Sequence, residues 1–381
     1  MSNKETMAII ATSPLAIKFF LEFIISEFEK KYSIIIMTNT SDNHDILRTL
    51  TSRIKIIDIK IKREINLISD IRTAFILMKH LSTENISVVY SITPKAGFIG
   101  ILVSKIMKVP VRIHNFTGQV WKTKKGLIKH VLKSIDRLIY LLSTRVIVDS
   151  HSQREFLINN NIIKRQKSIV IGDGSISGVD IDLFSPNQYI KQEIREQLKT
   201  KSDAIVFLYI GRLSLDKGII ELIKAYSRVA DKINNTSLWI VGPNETKINN
   251  FQQLYDIKYK DSIHFIPYTP TPERYMMAAD ICCLPSHREG FGSVIIESAS
   301  CGVPAIGTKI YGLTDAIVHG VTGLLVEVKN IEDLSDNMIL LAENSYLRKK
   351  MGKAARRRVV KSFDQRIVVK RLIDFIDKEL R

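Results

Sequence analysis

Short apolar runs that end in small or polar residues alternate with helix-period segments along almost the whole of this sequence. MAIIATS (7–13), YSIIIMTN (32–39), IKIIDIKI (54–61), ISVVYSIT (86–93) and VPVRIHNFTG (109–118) read as buried strands. Between them, AIKFFLEFIISEFEKK (16–31), ISDIRTAFILMKHLSTE (68–84) and KAGFIGILVSKIMKV (95–109) carry apolar stripes at helical spacing. Strands that are apolar on both faces and separated by helices require a parallel sheet with βαβ crossovers, covered by helices on each side.

The rhythm breaks once, at GDGSISGVDIDLFSPNQ (172–188), where Gly, Ser and Asp cluster before Pro186. It restarts with the helix YIKQEIREQLKT and the strand AIVFLYIGRLS, and continues through TSLWIVGPN, SIHFIPYT and DICCLPS. A chain of 381 residues with 45% hydrophobic content suits two cores of this kind. The expected division is 1–185 and 186–362, each a doubly wound Rossmann-like domain. The final helix, 363–381, is expected to pack back towards the first domain. Asp180 and Asp182 in the connecting loop form a D-x-D pair, read here as turn and capping residues rather than metal ligands.

No apolar run reaches the roughly 18–20 residues of a membrane span, and the N-terminal stretch lacks the basic, apolar and small-residue regions of a signal peptide. Cys282, Cys283 and Cys301 form neither a disulfide framework nor a zinc pattern and read as small core residues. The expectation is a cytoplasmic protein. Net charge is +17, and the stretch from Lys95 to Arg137 holds ten basic residues against one acid, Asp136. Such a patch attracts nucleic acid, anionic lipid or phosphorylated substrates. The basic residues are not interleaved with aromatics and no nucleic-acid-binding motif appears, so no nucleic-acid partner is expected. QVWKTKKGLIKHVLKSIDRLIYLL reads instead as a basic amphipathic helix: either an ordinary helix packed on the sheet, or one whose cations rim a membrane-contacting face.

Two segments carry chemistry. In YIGRLSLDKGI, Gly211 ends a strand, and Arg212 and Lys217 follow in the loop; two cations there suit a diphosphate, though an ordinary solvated loop is the alternative. In HREGFGSVIIES, Glu289 and Glu297 lie eight positions apart across Gly290-Phe291-Gly292. The glycines let backbone N–H groups approach a ligand, and the helix starting at Ser293 favours a phosphate at its N-terminus. Glu289 can face a sugar, and Glu297 can accept both hydroxyls of a ribose.

GRLSLDKG, VGP, AADICCLPSHREGFGSVIIESASCGVPAIGTKIYGLTDAIVHGVTGLLVE and GSISGVDIDLF together resemble family 4 glycosyltransferases of the GT-B fold, densely over 203–330 and continuously over 1–200. The resemblance implies two Rossmann-like domains facing across a cleft, a retaining reaction and no divalent metal or other cofactor. Arg212 and Lys217 would neutralise the leaving diphosphate. Glu289 and the backbone of Gly290, Phe291 and Gly292 would hold the sugar, Glu297 the ribose, and Ile266 to Tyr268 would border the base. On the acceptor side, Ser13 replaces the usual Gly-Gly loop, and Gly118 and Trp121 follow the fifth strand. His114 stands near the position of a catalytic histidine, with a sheet-filling histidine as the equal alternative.

The segments HNFTGQVWKTKKG and DRLIYLLSTRVIVDSHSQREFLI most resemble the branch serving bacterial capsule and O-antigen assembly. The expected reaction moves a sugar, an N-acetylated amino sugar being one candidate, from a UDP-sugar to an undecaprenyl diphosphate-linked saccharide at an anionic membrane surface. Alternatives are a GDP-sugar donor, a sugar-nucleotide epimerase of the same fold, and a non-catalytic sugar-nucleotide-binding protein.

Overall fold

The computed structural model describes residues 4–41, 54–61, 66–246 and 251–381. The chain divides into two compact units. The first comprises 1–177 with 365–381, and the second 178–364.

In the first unit the strands β1 (Thr6–Ile10), β2 (Ser33–Thr38), β3 (Lys55–Asp58), β4 (Val88–Ile92), β5 (Val111–Phe116), β6 (Arg145–Val148) and β7 (Ser168–Ile169) form one parallel sheet, in the order β3-β2-β1-β4-β5-β6-β7. Its helices are α1 (Pro14–Phe28), α2 (Leu67–Thr83), α3 (Pro94–Ile106), α4 (Gly126–Leu142) and α5 (His151–Asn159). Pro14 and Pro94 open α1 and α3 at positions where the missing N–H is not needed. Ser13, Asn66 and Ser150 cap α1, α2 and α5 with their side-chain oxygens.

The second unit carries β8 (Ile205–Ile210), β9 (Thr236–Val241), β10 (Ile263–Ile266), β11 (Ile281–Leu284), β12 (Ala305–Thr308) and β13 (Gly323–Val326), parallel in the order β10-β9-β8-β11-β12-β13. Around them lie α6 (Gln188–Gln197), α7 (Ile219–Lys232), α8 (Pro272–Ala278), α9 (Ser293–Ser300), α10 (Leu313–Ala316), α11 (Ile331–Glu343) and α12 (Ser345–Ser362). Strand order reverses between β1 and β4 in the first sheet and between β8 and β11 in the second. In open parallel sheets the crevice at such a reversal, beyond the strands' carboxyl ends, is where ligands bind.

The unit boundary falls at 177/178, eight residues before the expected 185/186. Residues 179–184 go with the second unit because Val179 N–H donates to Phe363 O at 2.7 Å and Ser300 Oγ donates to Phe184 O at 2.6 Å. Asp180 Oδ1 accepts from the N–H groups of Asp182 (3.1 Å) and Leu183 (3.0 Å), which closes a turn. The terminal helix α13 (Gln365–Leu380) buries Val368, Val369, Leu372 and Ile376 in the core that α1 and β1 share. Asp377 pairs with Lys31 and accepts from Tyr32 Oη, and Glu379 pairs with Arg145 at 2.9 Å. Cys282, Cys283 and Cys301 are buried and unpaired, as core residues.

Candidate functional site

In the second unit, β8 and β11 are neighbours, and the loops leaving their carboxyl ends meet. The meeting is fixed by backbone geometry. Gly218 has φ of +72°, and a Cβ there would stand 2.1 Å from Pro285 O. Gly242, with φ of +142°, lies so close to the end of β8 that a Cβ would stand 2.0 Å from Gly211 O. Only glycine allows these two approaches.

Side chains then lock the loops together. His287 N–H donates to Asp216 O at 2.8 Å. Arg288 pairs with Asp216 at 2.8 Å, and His287 Nε2 lies 3.0 Å from Glu221 Oε1. Burial works to raise the Asp216 carboxyl, but the Ser214 hydroxyl and the Arg288 guanidinium outweigh it and hold it below the ordinary carboxylate range. Between these two pairs, Lys217 Nζ meets Glu289 Oε1 at 2.5 Å, with both side chains mostly buried, and Ser286 Oγ donates to the same oxygen at 2.8 Å. Arg212, more exposed, pairs with Glu245, and its carbonyl accepts from Tyr209 Oη at 2.7 Å.

Gly292, with φ of +87°, turns the chain into α9. Ser293 is the first residue of that helix and Glu297 stands one turn further on. Glu297 is half-buried, its carboxylate has no partner among the described residues, and burial pushes it up to about 7. Phe291 supplies only backbone to this corner, because its ring is buried against Phe363 at 5.3 Å between centroids. Ile266 ends β10, where its carbonyl accepts from Gly242 N–H at 2.9 Å, and Tyr268 lies just beyond, half-exposed. The structure therefore gathers Gly211, Arg212, Lys217, Glu289, Gly290, Gly292, Ser293 and Glu297 at one end of one sheet. Cations beside a helix N-terminus and flanking carboxylates can hold an anion and a set of hydroxyls together.

The residues expected on the acceptor side fare differently. His114 is a buried member of β5: its Nδ1 lies 2.9 Å from Ser91 Oγ, its ring meets Phe116 edge-on at 4.7 Å, and a Cβ on Gly97 of α3 would stand 2.2 Å from its Cε1. Burial drives its imidazole down to about 3. This geometry suits the sheet-filling role, one of the two readings open for it. Trp121 is likewise a core residue: buried, stacked on Phe156 at 5.2 Å, with Nε1 donating to Asp136 Oδ2 at 2.8 Å. Ser13 spends its hydroxyl on capping α1. Gly118, with φ of +126°, makes the turn after β5.

Sequence reasoning did not single out Asp216, Glu221, Glu245, Ser286 or Arg288. The signal was present in the opposed charges of LDKGIIE and HRE, which interlock residue by residue. It also passed over α12, whose 18 residues include eight cations and no acid.

Residues 190–358 match the family model described as glycosyl transferases group 1. The chain is 31% identical over 313 residues to the capsular polysaccharide biosynthesis glycosyltransferase CapM of Staphylococcus aureus, covering 81% of each. It is 26% identical to the UDP-Gal:alpha-D-GlcNAc-diphosphoundecaprenol alpha-1,3-galactosyltransferase of Escherichia coli, over 81% of this chain and 79% of that one. Among solved structures, Anabaena HepE in complex with UDP and glucose superposes with a TM-score of 0.79 at 17% identity, over 98% of this chain and 100% of that one. Sucrose-phosphate synthase from Thermosynechococcus elongatus gives 0.83 at 19% identity, over 98% and 99%. These likenesses span both Rossmann-like units, as the GT-B fold requires. With the paired glutamates and the Arg–Lys loop at the ends of β11 and β8, they establish that this chain belongs to the group 1 glycosyltransferases.

Proposed function

We propose that this glycosyltransferase is a retaining, metal-independent enzyme that moves a sugar from a UDP-sugar to an undecaprenyl diphosphate-linked saccharide in capsule or O-antigen assembly. The observation that carries the donor half is the Lys217–Glu289 pair at the reversal point of the second sheet, with Arg212 on one side and the unpaired Glu297 carboxylate on the other. On donor binding, Lys217 and Arg212 exchange their carboxylate partners for the diphosphate and stabilise the charge that grows on it as the glycosidic bond breaks. Glu289 and the backbone at Gly290 and Gly292 hold the sugar hydroxyls, and Glu297 accepts from the ribose diol. The acceptor half is supported by the relatives whose names carry it, the E. coli enzyme above and an N-acetylgalactosaminyltransferase of Campylobacter jejuni that is 26% identical over 82% of each chain.

A lipid-linked acceptor calls for a membrane-facing surface. Among the described residues no helix is long and apolar enough to cross a membrane. The first unit does present apolar side chains to solvent on one helical layer, in which α3 packs between α2 and α4. They include Ile68, Ile71 and Phe75 of α2, and Leu127, Ile128 and Val131 of α4. Lys124 and Lys125 lie beside the latter set. Exposed apolar side chains next to lysines suit the headgroup region of an anionic leaflet.

The test is a thermal-shift screen against UDP, GDP, ADP, CMP and their common sugars. Stabilisation by UDP and one UDP-sugar, lost in Arg212→Ala, is the expected result. Stabilisation by GDP alone overturns the donor, and no response to any nucleotide overturns the donor site.

A further inference from the structure

The tie between Lys217 and Glu289 is flanked by two others, and in each of those the acid stands on the β8 side, the reverse of Lys217–Glu289. The acids are Asp216, directly before Lys217, and Glu221, in the first turn of α7. Their partners, Arg288 and His287, directly precede Glu289. Asp216 is gripped at three points. Ser214 Oγ donates to its Oδ1 at 2.6 Å, Arg288 Nη2 donates to its Oδ2 at 2.8 Å, and its carbonyl accepts from His287 N–H at 2.8 Å. The His287 ring reaches past Lys217 to Glu221, with Nε2 and Oε1 3.0 Å apart. Lys217 ends the short turn Leu215–Lys217 between these anchors, and its own N–H donates to Ser214 O at 3.0 Å.

In the donor reading, Lys217 gives up Glu289 for the diphosphate. That exchange cuts the middle tie at the moment when the two loops have to stay in register, because the ammonium then meets a phosphate while Glu289 meets the sugar. The outer ties can survive it. The Arg288 and Asp216 side chains are only 20% and 26% exposed, so water screens their attraction less than at an open surface. The Arg288 charge is already met by Asp216, which leaves Lys217 and Arg212 as the cations for the incoming anion. Asp216 is also the covalent neighbour of Lys217, so any slip of its carboxylate or carbonyl moves the lysine with it.

We infer that the Asp216–Arg288 pair, seconded by His287 and Glu221, keeps the turn bearing Lys217 in register with the loop bearing Glu289 after the donor has separated those two residues. Asp216 and Arg288 are positioning residues: they act through Lys217 and touch no substrate. The inference rests on the donor reading given under the proposed function and adds to it the device that holds the lysine in place once its own carboxylate partner is gone.

The experiment measures UDP and UMP affinity by calorimetry for the full chain, for Asp216→Asn, Arg288→Met and Lys217→Ala, and for the double variant Lys217→Ala/Arg288→Met. UMP shares the base and ribose but lacks the second phosphate, so the preference for UDP reads the placement of the lysine. Wild type prefers UDP, and Lys217→Ala reduces that preference about tenfold, as loss of a hydrogen bond to a charged group does. Asp216→Asn and Arg288→Met reduce it by a comparable factor and retain UMP affinity. The double variant loses no more than Lys217→Ala alone, because the pair works through that lysine. Asp216→Asn also carries a test of sign. Removing an acid beside an anion site strengthens anion binding by simple electrostatics, whereas loss of position weakens it. Tighter UDP binding in Asp216→Asn makes Arg288 a phosphate ligand and overturns the positioning role. An unchanged UDP preference in both variants overturns it too, as does an equal fall for UDP and UMP, which marks a merely structural pair. If Arg288→Met does not fold, Asp216→Asn, whose amide oxygen can still accept from Ser214, decides the matter. All of these outcomes leave the donor reading standing. Absence of UDP binding in wild type removes the donor reading, and this inference falls with it.

Discussion

Lys217 Nζ and Glu289 Oε1 stand 2.5 Å apart, joining the loop after β8 to the loop after β11, and Ser286 Oγ holds the same carboxylate oxygen from the other side. The lysine is thus held in place before any donor arrives. In the proposed mechanism Glu289→Ala removes the sugar's partner and releases Lys217, while Arg212 and Glu297 remain. Misplacing a reacting group by about 1 Å can cost roughly a hundredfold in rate, so kcat should fall by about that factor or more. UDP binding, measured calorimetrically, should change far less. Near-normal turnover in Glu289→Ala would remove Glu289 from the mechanism.

Glu297 offers a pH test. Its carboxyl is raised by burial from 4.5 to about 7, so the folded chain holds a proton that the unfolded chain has released. Stability therefore falls as pH rises from about 4.5 to about 7 and is level above that. Glu297→Gln should remove this slope and raise Tm at pH 8 relative to wild type. UDP affinity in wild type should strengthen through pH 7 as the carboxylate forms and can accept both ribose hydroxyls. In Glu297→Gln it should be weaker by about tenfold and independent of pH across that window. Parallel pH profiles for the two proteins would show that Glu297 does not contact the nucleotide.

The cluster beyond β8 and β11 was legible in the sequence because its chemistry is local. Gly211, Arg212 and Lys217 follow one strand, Glu289 to Glu297 follow another, and parallel topology brings strand ends together without further information. The partners of these residues were not legible, since Asp216 with Arg288 and Ser286 with Glu289 depend on how two loops fold against each other. For His114 and Trp121, expected on the acceptor side, residue type says nothing about facing. His114 points under α3 at Gly97, and Trp121 finds its polar partner in Asp136, fifteen residues on.

His114→Asn separates structure from catalysis. The asparagine side chain can still meet Ser91 Oγ, and kcat/KM at pH 8 should stay within about threefold of wild type, because no transition-state contact is lost. Stability should change instead. Burial lowers His114 from 6.5 to about 3, so the unfolded chain takes up a proton that the folded chain refuses. Its contribution is fully present above pH 6.5 and is lost as pH falls towards 3. The variant should show a shallower loss of Tm between pH 6.5 and 4. A loss of kcat by orders of magnitude with Tm intact would restore a catalytic histidine.

Membrane docking predicts separable apolar and electrostatic contributions. Leu127 and Ile128 are 79% and 51% exposed, so replacing both by Glu should leave Tm unchanged. It should abolish co-flotation with vesicles containing phosphatidylglycerol, because two charges would then face the acyl region. Replacing Lys122, Lys124, Lys125 and Lys129 by Gln should weaken binding by about 1 kcal/mol per lysine near the surface, and the loss should shrink as salt is raised. Lys122 also lies over the Phe156 ring at 5.6 Å, so its own replacement is scored against Tm. The control is α12, where Lys349, Lys350, Lys353, Arg357 and Lys361 form an exposed cationic stripe with no ion pairs among the described residues. If neutralising that stripe removes flotation while the α4 variants still bind, the membrane-facing surface is α12, and the exposed apolar side chains of α4 serve some other contact.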